Sequence, residues 1–450
     1  MTRTRLDSLY LLLLGSMVFV LLGAALENAS PLGMMDFRVV YYPARCLIEH
    51  CDPYNESEVL RIYRAEGDRP LDTAKDRQVV TRYLYLPTAF SFTVPFAMLP
   101  WGPAHMLWMA FTVGSLIFAS FLIWSYGANY APIVSGLLIG FFLANSEVLV
   151  VLTNTAGIAV SLCVVAVWCF LRERFVPAGI LCFAISLALK PQDAGLVWLY
   201  FLLAGGVYRK RALETLLVTV AVSLPAVLWV WHVAPCWMHE WQSNVLTFSA
   251  HGGLTDPGPA STGSHGLGMQ VNLQALISVF RDDPRIYNPV SYAICAPLLL
   301  AWVFVTLRSR SSLARAWLAI AAIAALSMLP LYHHLYDAKL LLLTVPACVM
   351  LWAEGGLIGW LALMVNSAGF VLTGDLPWAI VLGLINNLHL PSTRLTGQML
   401  TAIQVFPAPL ILLVMGVFYL WVYARRCAAH TSPQPLITTQ SKRAASLQGL

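Results

Sequence analysis

Charge is scarce in this chain. Of its 450 residues only 11% are Asp, Glu, Lys or Arg, against about 25% in ordinary soluble domains. That excludes a protein folded wholly in water. The net charge of +5 is too small for an electrostatic footprint on nucleic acid, so no nucleic-acid partner is expected. The chain has no G-x-x-x-x-G-K-[ST] loop, which removes built-in nucleotide hydrolysis of the P-loop kind. It has no H-E-x-x-H, and its nine cysteines show neither C-x-x-C nor zinc spacing. Cys163, Cys169, Cys182 and Cys348 lie inside apolar runs and read as small hydrophobes. No repeat of 20–50 residues is present, which excludes solenoids.

What replaces charge is apolar sequence in long runs. The chain is 59% hydrophobic, with a mean hydropathy of +0.71. Stretches such as Leu9–Leu26, Pro103–Trp124, Leu213–Trp231 and Leu410–Tyr423 approach or meet the roughly 20 residues that a membrane span needs. The first reads as a retained span, not a signal peptide. The expectation is an all-α, polytopic membrane helix bundle with about 12 crossings. Basic clusters orient it: Arg3 and Arg5, Arg172 and Arg174, Arg209-Lys210-Arg211, Arg308 and Arg310, and Arg425-Arg426. Placing these in the cytoplasm puts loop 27–83, the Lys190-Pro191-Gln192-Asp193 turn, loop 233–290 and Tyr332–Asp337 outside. Parity then requires three crossings from four apolar segments between residues 84 and 171. Segment 84–100, with Pro87, Pro95 and Pro100, is the candidate for a re-entrant or interfacial piece. Residues 1–426 form one membrane domain, and 427–450 read as a polar, disordered cytoplasmic tail.

Residues 27–83 hold ten of the 22 acids and eight of the 27 basic residues. This composition suggests a small folded element outside the membrane, with short amphipathic helices near 36–50 and 55–66. Cys46 and Cys51 flank a helix end there, and either form a disulfide or pack as two thiols. Asp36 follows the first span, with Tyr41, Tyr42, Arg38 and Arg45 on the same short helix. It is a candidate general base, against the blander role of a helix cap. Lys190 ends an apolar run; it either snorkels or offers a cation to a phosphate. Tyr332-His333-His334-Leu335-Tyr336-Asp337-Ala338-Lys339 crowds polar groups between two apolar segments. Its adjacent histidines point in different directions on a helix and make a poor metal pair. Gln270, Asn272 and Gln274 offer amides to sugar hydroxyls, and Asp282-Asp283 before Pro284 reads as a helix-ending turn.

These residues, in this order, resemble a known family. Asp36-Phe37 with Tyr41-Tyr42-Pro43-Ala44, then Asp52-Pro53-Tyr54, is similar to the first outer loop of glycosyltransferase family 87. Tyr83-Leu84-Tyr85-Leu86-Pro87, Ala188-Leu189-Lys190-Pro191-Gln192, and Tyr336-Asp337 before Leu340-Leu341-Leu342 resemble three later family motifs. The resemblance covers roughly residues 30–350. Thr153-Asn154-Thr155-Ala156-Gly157 stands where the family often has Gly-Gln-x-Asn, Cys51 stands where glycine is common, and Lys339 is an extra charge.

The resemblance implies a GT-C fold in an integral protein of the plasma (inner) membrane, with its site on the extracytoplasmic face. It implies transfer of a hexosyl group, mannosyl by analogy with family members, from a polyprenyl-phosphate sugar donor to a lipid or glycan acceptor, with inversion. Asp36 is then the base. Lys190, Arg45, His333 and His334 are candidates to bind the donor phosphate. Tyr41, Tyr42, Tyr85, Gln192, Gln270, Asn272, Tyr336 and Asp337 are candidates for substrate contact. No cofactor and no metal are expected, and no D-x-D lies beside Asp36. The competing class is a transporter or lipid flippase, which also uses broken helices and buried charges. The long charged loop 27–83 and the lack of repeats favour the enzyme.

Overall fold

The computed structural model describes residues 3–30, 33–66, 74–261, 269–310, 312–375, 397–399, 402 and 406–428. The described residues are helical and contain no strand. Seven helices are long and apolar enough to cross a membrane: Arg3–Ala29, Trp101–Gly127, Pro132–Leu152 (broken once), Thr155–Arg172, Gly206–Val233, Pro284–Arg308 and Pro407–Cys427. Three shorter apolar helices, Val176–Leu189, Leu313–Leu326 and Gly356–Leu372, join them. The tail expected at 427–450 lies outside the described residues beyond position 428.

Thr155–Arg172 and Leu313–Leu326 are buried on nearly every face and form the centre of the bundle. Gly206–Val233 and Pro284–Arg308 instead carry exposed leucines and aromatics such as Leu217, Trp231, Leu300 and Phe304. Their exposed apolar stretches suit contact with lipid. The first helix packs against Pro132–Leu143 through Gly15 and Gly140. A Cβ on Gly15 would stand 2.2 Å from the Gly140 carbonyl oxygen. Only glycine permits that approach, and close helix contact through small residues replaces the missing hydrophobic drive inside a bilayer.

Residues 35–108 build a second core, rich in aromatics. Helix Met35–Ile48 forms where the sequence places amphipathic helix 36–50, and Glu56–Glu66 where it places 55–66. Phe37 stacks on Trp108 and Trp101, and Tyr42 stacks on Trp101. Cys46 and Cys51 are joined by a disulfide, with Cα atoms 5.0 Å apart. Segment 84–100 is a 3-10 turn, Pro87–Ala89, followed by helix Phe90–Ala97 of eight residues. At 1.5 Å per residue that helix is about 12 Å long, too short to cross a core of about 30 Å.

The reading of Asp282-Asp283 needs correction. Asp283 begins a helix: its side chain accepts from the Arg285 N–H at the start of Pro284–Arg308. Proline at the first helical position needs no amide partner and has its φ preset, so Asp-Pro here is a start signal.

Candidate active site

The elements that carry Asp36, Lys190 and Asp337 meet at one end of the bundle. Each is placed by a local break in helix. Met34 sits in the left-handed region at φ 62°, and its N–H donates to the Val151 carbonyl at 2.8 Å. That bond docks the start of helix Met35–Ile48 onto the short helix Val148–Leu152. Thr153, also left-handed at φ 53°, ends that helix, and Asn154 caps the next one.

Asn154 divides its amide between two tasks. Its oxygen accepts from the Ala156 N–H at 2.8 Å, and its nitrogen donates to Asp36 Oδ2 at 2.8 Å. A rotated amide would break both bonds, so the cap fixes which end faces the carboxylate. Asp36 is half-buried. Burial pushes its carboxyl up to about 6, against the Asn154 hydrogen bond and the nearby Lys190 ammonium, which pull it down. The same end of helix Thr155–Arg172 holds Tyr85, whose hydroxyl accepts from Thr155 Oγ1 at 2.9 Å.

Lys190 lies between helices Val176–Leu189 and Pro191–Ala204, at φ −150° and ψ 76°. Pro191 disfavours the helical region at the residue before it; the chain breaks there and leaves the lysine in the gap. Only 6% of Lys190 is exposed. Its Nζ pairs with Asp337 Oδ1, lies 3.5 Å from Asp193 Oδ2, and stands 4.9 Å from the centre of the Tyr336 ring. Two carboxylates and an aromatic face compensate the buried charge, as burial of an ammonium requires. Asp36 is within electrostatic reach of both Lys190 and Asp337.

The histidines diverge, as adjacency demands. His333 faces Asp193 at 3.4 Å from Nε2 to Oδ1, with Nδ1 3.1 Å from the Leu331 carbonyl. Burial pulls its imidazole down, but the Asp193 contact and the negative charges of Asp337 and Asp193 outweigh it and leave the pKa raised. His334 turns the other way, hydrogen-bonds the Tyr332 hydroxyl and stacks on Tyr336. Burial pulls it down to about 4, so it is neutral near pH 7. The backbone N–H of His334 donates to Asp337 Oδ2 at 2.8 Å.

The segment after residue 268 pairs with this turn. The Val271 N–H donates to the His333 carbonyl at 3.0 Å, and the Leu335 N–H to the Met269 carbonyl at 2.9 Å. Gln270, Asn272 and Gln274 are all buried, and their side-chain oxygens accept no hydrogen bond. Buried acceptors in that state favour a donor such as a sugar hydroxyl.

Asp36, Tyr85, Lys190, His333, His334, Tyr336 and Asp337 are thus brought together, with Gln270 and Asn272 along one flank. Arg45, Tyr41 and Tyr42 are placed elsewhere. Arg45 pairs with Glu66 at 3.0 Å and Glu49 at 3.7 Å. The Tyr41 hydroxyl donates to the Leu99 carbonyl, and both tyrosine rings pack around Trp101. Gln192 is exposed. Asn154, Thr155 and Asp193 also belong to the cluster, although in the sequence they stand only as cap and turn residues. Asp193, His333 and Asp337 have ligand atoms within 4.8 Å of one another, enough to hold a cation. Here the Lys190 ammonium stands between the two carboxylates.

The sequence profile of glycosyltransferase family 87 matches residues 83–332. No curated protein and no solved structure matches the chain. The matched stretch holds Tyr85, Lys190 and Tyr332, more than half of the chain, and the chain is an integral membrane protein that belongs to glycosyltransferase family 87.

Proposed function

We propose that this chain transfers a hexosyl group, mannosyl by family likeness, from a polyprenyl-monophosphate donor to a hydroxyl of a lipid or glycan acceptor. The reaction takes place at the extracytoplasmic face of the membrane and inverts the anomeric centre. The observation that carries this reading is the meeting of the Asp36 carboxylate with the Lys190 ammonium and the His333–Asp337 turn. Membership of the family supports a transferase over a transporter or flippase.

The roles follow from charge. The acceptor oxygen attacks the anomeric carbon and its proton passes to Asp36. The bond from that carbon to the phosphate oxygen breaks, and the electron pair leaves with the polyprenyl phosphate. A carboxylate elevated to about 6 is ionised at neutral pH yet more basic than an ordinary aspartate, which suits proton abstraction. The leaving phosphate gains negative charge and needs a cation, not a strong acid. Lys190, whose charge reaches Asp36, supplies it, with His333 beside it. Tyr85 and Tyr336 face the sugar, and Gln270 and Asn272 accept from its hydroxyls.

The test uses purified protein in liposomes, a polyprenyl-phosphate hexose and a hydroxylated lipid acceptor, with the product anomer assigned by NMR. Transfer with inversion is expected. Transfer from a nucleotide sugar alone, or retention of configuration, would overturn the proposal.

A further inference from the structure

A second buried lysine lies outside this chemistry. Lys339 is 3% exposed, and its Nζ donates to the Asn145 carbonyl at 2.7 Å and faces Asp375 Oδ1 at 3.5 Å. The other oxygen of Asp375 accepts from the Val148 N–H at 2.9 Å, in the first turn of helix Val148–Leu152. Glu147, 1% exposed, is the neighbouring carboxylate, and neither of its oxygens accepts a hydrogen bond. Lys339 is therefore the one ammonium that compensates two carboxylates, the buried Glu147 and the half-buried Asp375, among the described residues around it.

The chain on either side of this cluster leads to the two halves of the site. Six residues beyond Val148 is Asn154, which holds Asp36. Two residues before Lys339 is Asp337, which holds Lys190 and the His334 amide. The backbone segments 145–148 and 337–339 come from distant parts of the sequence, and Lys339 with Asp375 ties them together. We propose that Lys339 is a positioning residue that fixes the Asn154–Asp36 half of the site against the Asp337–Lys190 half. This inference rests on the function proposed above, and Lys339 touches no substrate in it. Attack requires the base and the phosphate-binding cation at a set separation, and displacements of about 1 Å at a distance from the chemistry can cost about 100-fold in rate.

The experiment compares wild type with Lys339→Met, Lys339→Met/Glu147→Gln and Asp375→Asn in liposomes, with polyprenyl-phosphate hexose and the hydroxylated lipid. Turnover is taken per mole of folded protein, with thermal unfolding measured in parallel. Lys339→Met should lower kcat about 10–100-fold while KM for the donor changes little. The acid limb of its pH–rate profile should move to higher pH. Asp36 faces Lys190 and Asn154, which favour its ionised form, and Asp337, which opposes it; a loosened Asn154 withdraws part of that support. The double variant carries one buried carboxylate fewer, so it should regain stability without regaining kcat. Asp375→Asn, the mildest change, should shift both quantities in the same direction by less, and it decides the matter if the lysine variants do not fold.

A purely structural lysine predicts the opposite: lower unfolding temperatures, but wild-type kcat and an unmoved acid limb in whatever protein is folded. That result in Asp375→Asn or in the double variant would overturn the inference. A wild type with no transferase activity would instead overturn the function on which it rests.

Discussion

Lys190 and Lys339 are both buried, and each faces two carboxylates, yet they differ in everything around them. Lys190 stands in a helix break, over the Tyr336 ring, within electrostatic reach of Asp36. Among its neighbours, Asp193 and His333 face each other at 3.4 Å, and His334 Nδ1 is buried without a hydrogen bond. Lys339 spends its ammonium on a backbone carbonyl and on Asp375. A buried charge alone therefore does not identify a binding group. Glu147 beside Lys339 also accepts no hydrogen bond, so unsatisfied atoms alone do not mark a site; what sets Lys190 apart is that its charge reaches Asp36.

The largest effect that separates the two is loss of Lys190. Lys190→Ala removes the cation from the leaving phosphate, and transfer at sub-saturating donor should fall about 10²–10³-fold, the range for removing one transition-state donor. Lys190→Arg should keep part of the rate because positive charge is the main requirement. Wild-type transfer by Lys190→Ala, measured in a folded preparation, would remove Lys190 from the donor site.

A smaller effect tests the link between the two halves. In wild type the rate should rise with pH through an apparent pKa of about 6 and then level, because Asp36 must lose its proton to act as a base. Asn154→Ala withdraws the hydrogen bond that stabilises the carboxylate, so that limb should move up in pH. A hydrogen bond worth about 1.4 kcal/mol moves the limb by about one pH unit, so the rate should fall about tenfold well below pH 6 and about twofold near neutral pH. The lost helix cap should cost about 1 kcal/mol of stability. A limb that stays in place would detach Asn154 from the base.

The smallest expected effect is at Arg45. Its half-buried pairs with Glu66 and Glu49 are partly screened by solvent and contribute about 1 kcal/mol, and Arg45→Ala should leave donor KM unchanged within about twofold. A large rise in donor KM would place a second phosphate cation where the structure has an ion pair.

Arg45 also marks the limit of what the sequence made legible. Asp36 and Arg45 are nine residues apart on one helix, and at 100° per residue that is about 180°, the opposite face. Helical periodicity was enough to separate them; composition drew them together. Tyr41 and Tyr42, five and six residues on, turn away from Asp36 by similar logic and fill the aromatic core. Lys190 was legible because Pro191 forces the break that exposes it to the site. The tyrosine–histidine turn was legible because so many polar groups between apolar segments need partners. Asn154 was not. Its sequence signature is that of an N-cap, and its contact to Asp36 spans 118 residues, a distance that no local pattern encodes. Asp193 read as part of a turn, and only the approach of the 332–337 segment gives it a role. The helices themselves were largely readable from hydropathy, although length and composition mark seven candidate spans and three shorter apolar helices and leave the expected count of crossings as an expectation.

The most direct measurement of the central claim is turnover by Asp36→Asn. The substitution keeps size and an oxygen that can accept from Asn154, so expression, folding and donor binding should remain near wild type. Transfer in purified, folded protein should fall at least about 100-fold, the usual contribution of a general base. Asp36→Glu should recover little of it, because the carboxylate moves and attack geometry is strict. Near wild-type turnover of Asp36→Asn, at a pH well above 6, would contradict the account and leave Asp36 as a structural partner of Asn154.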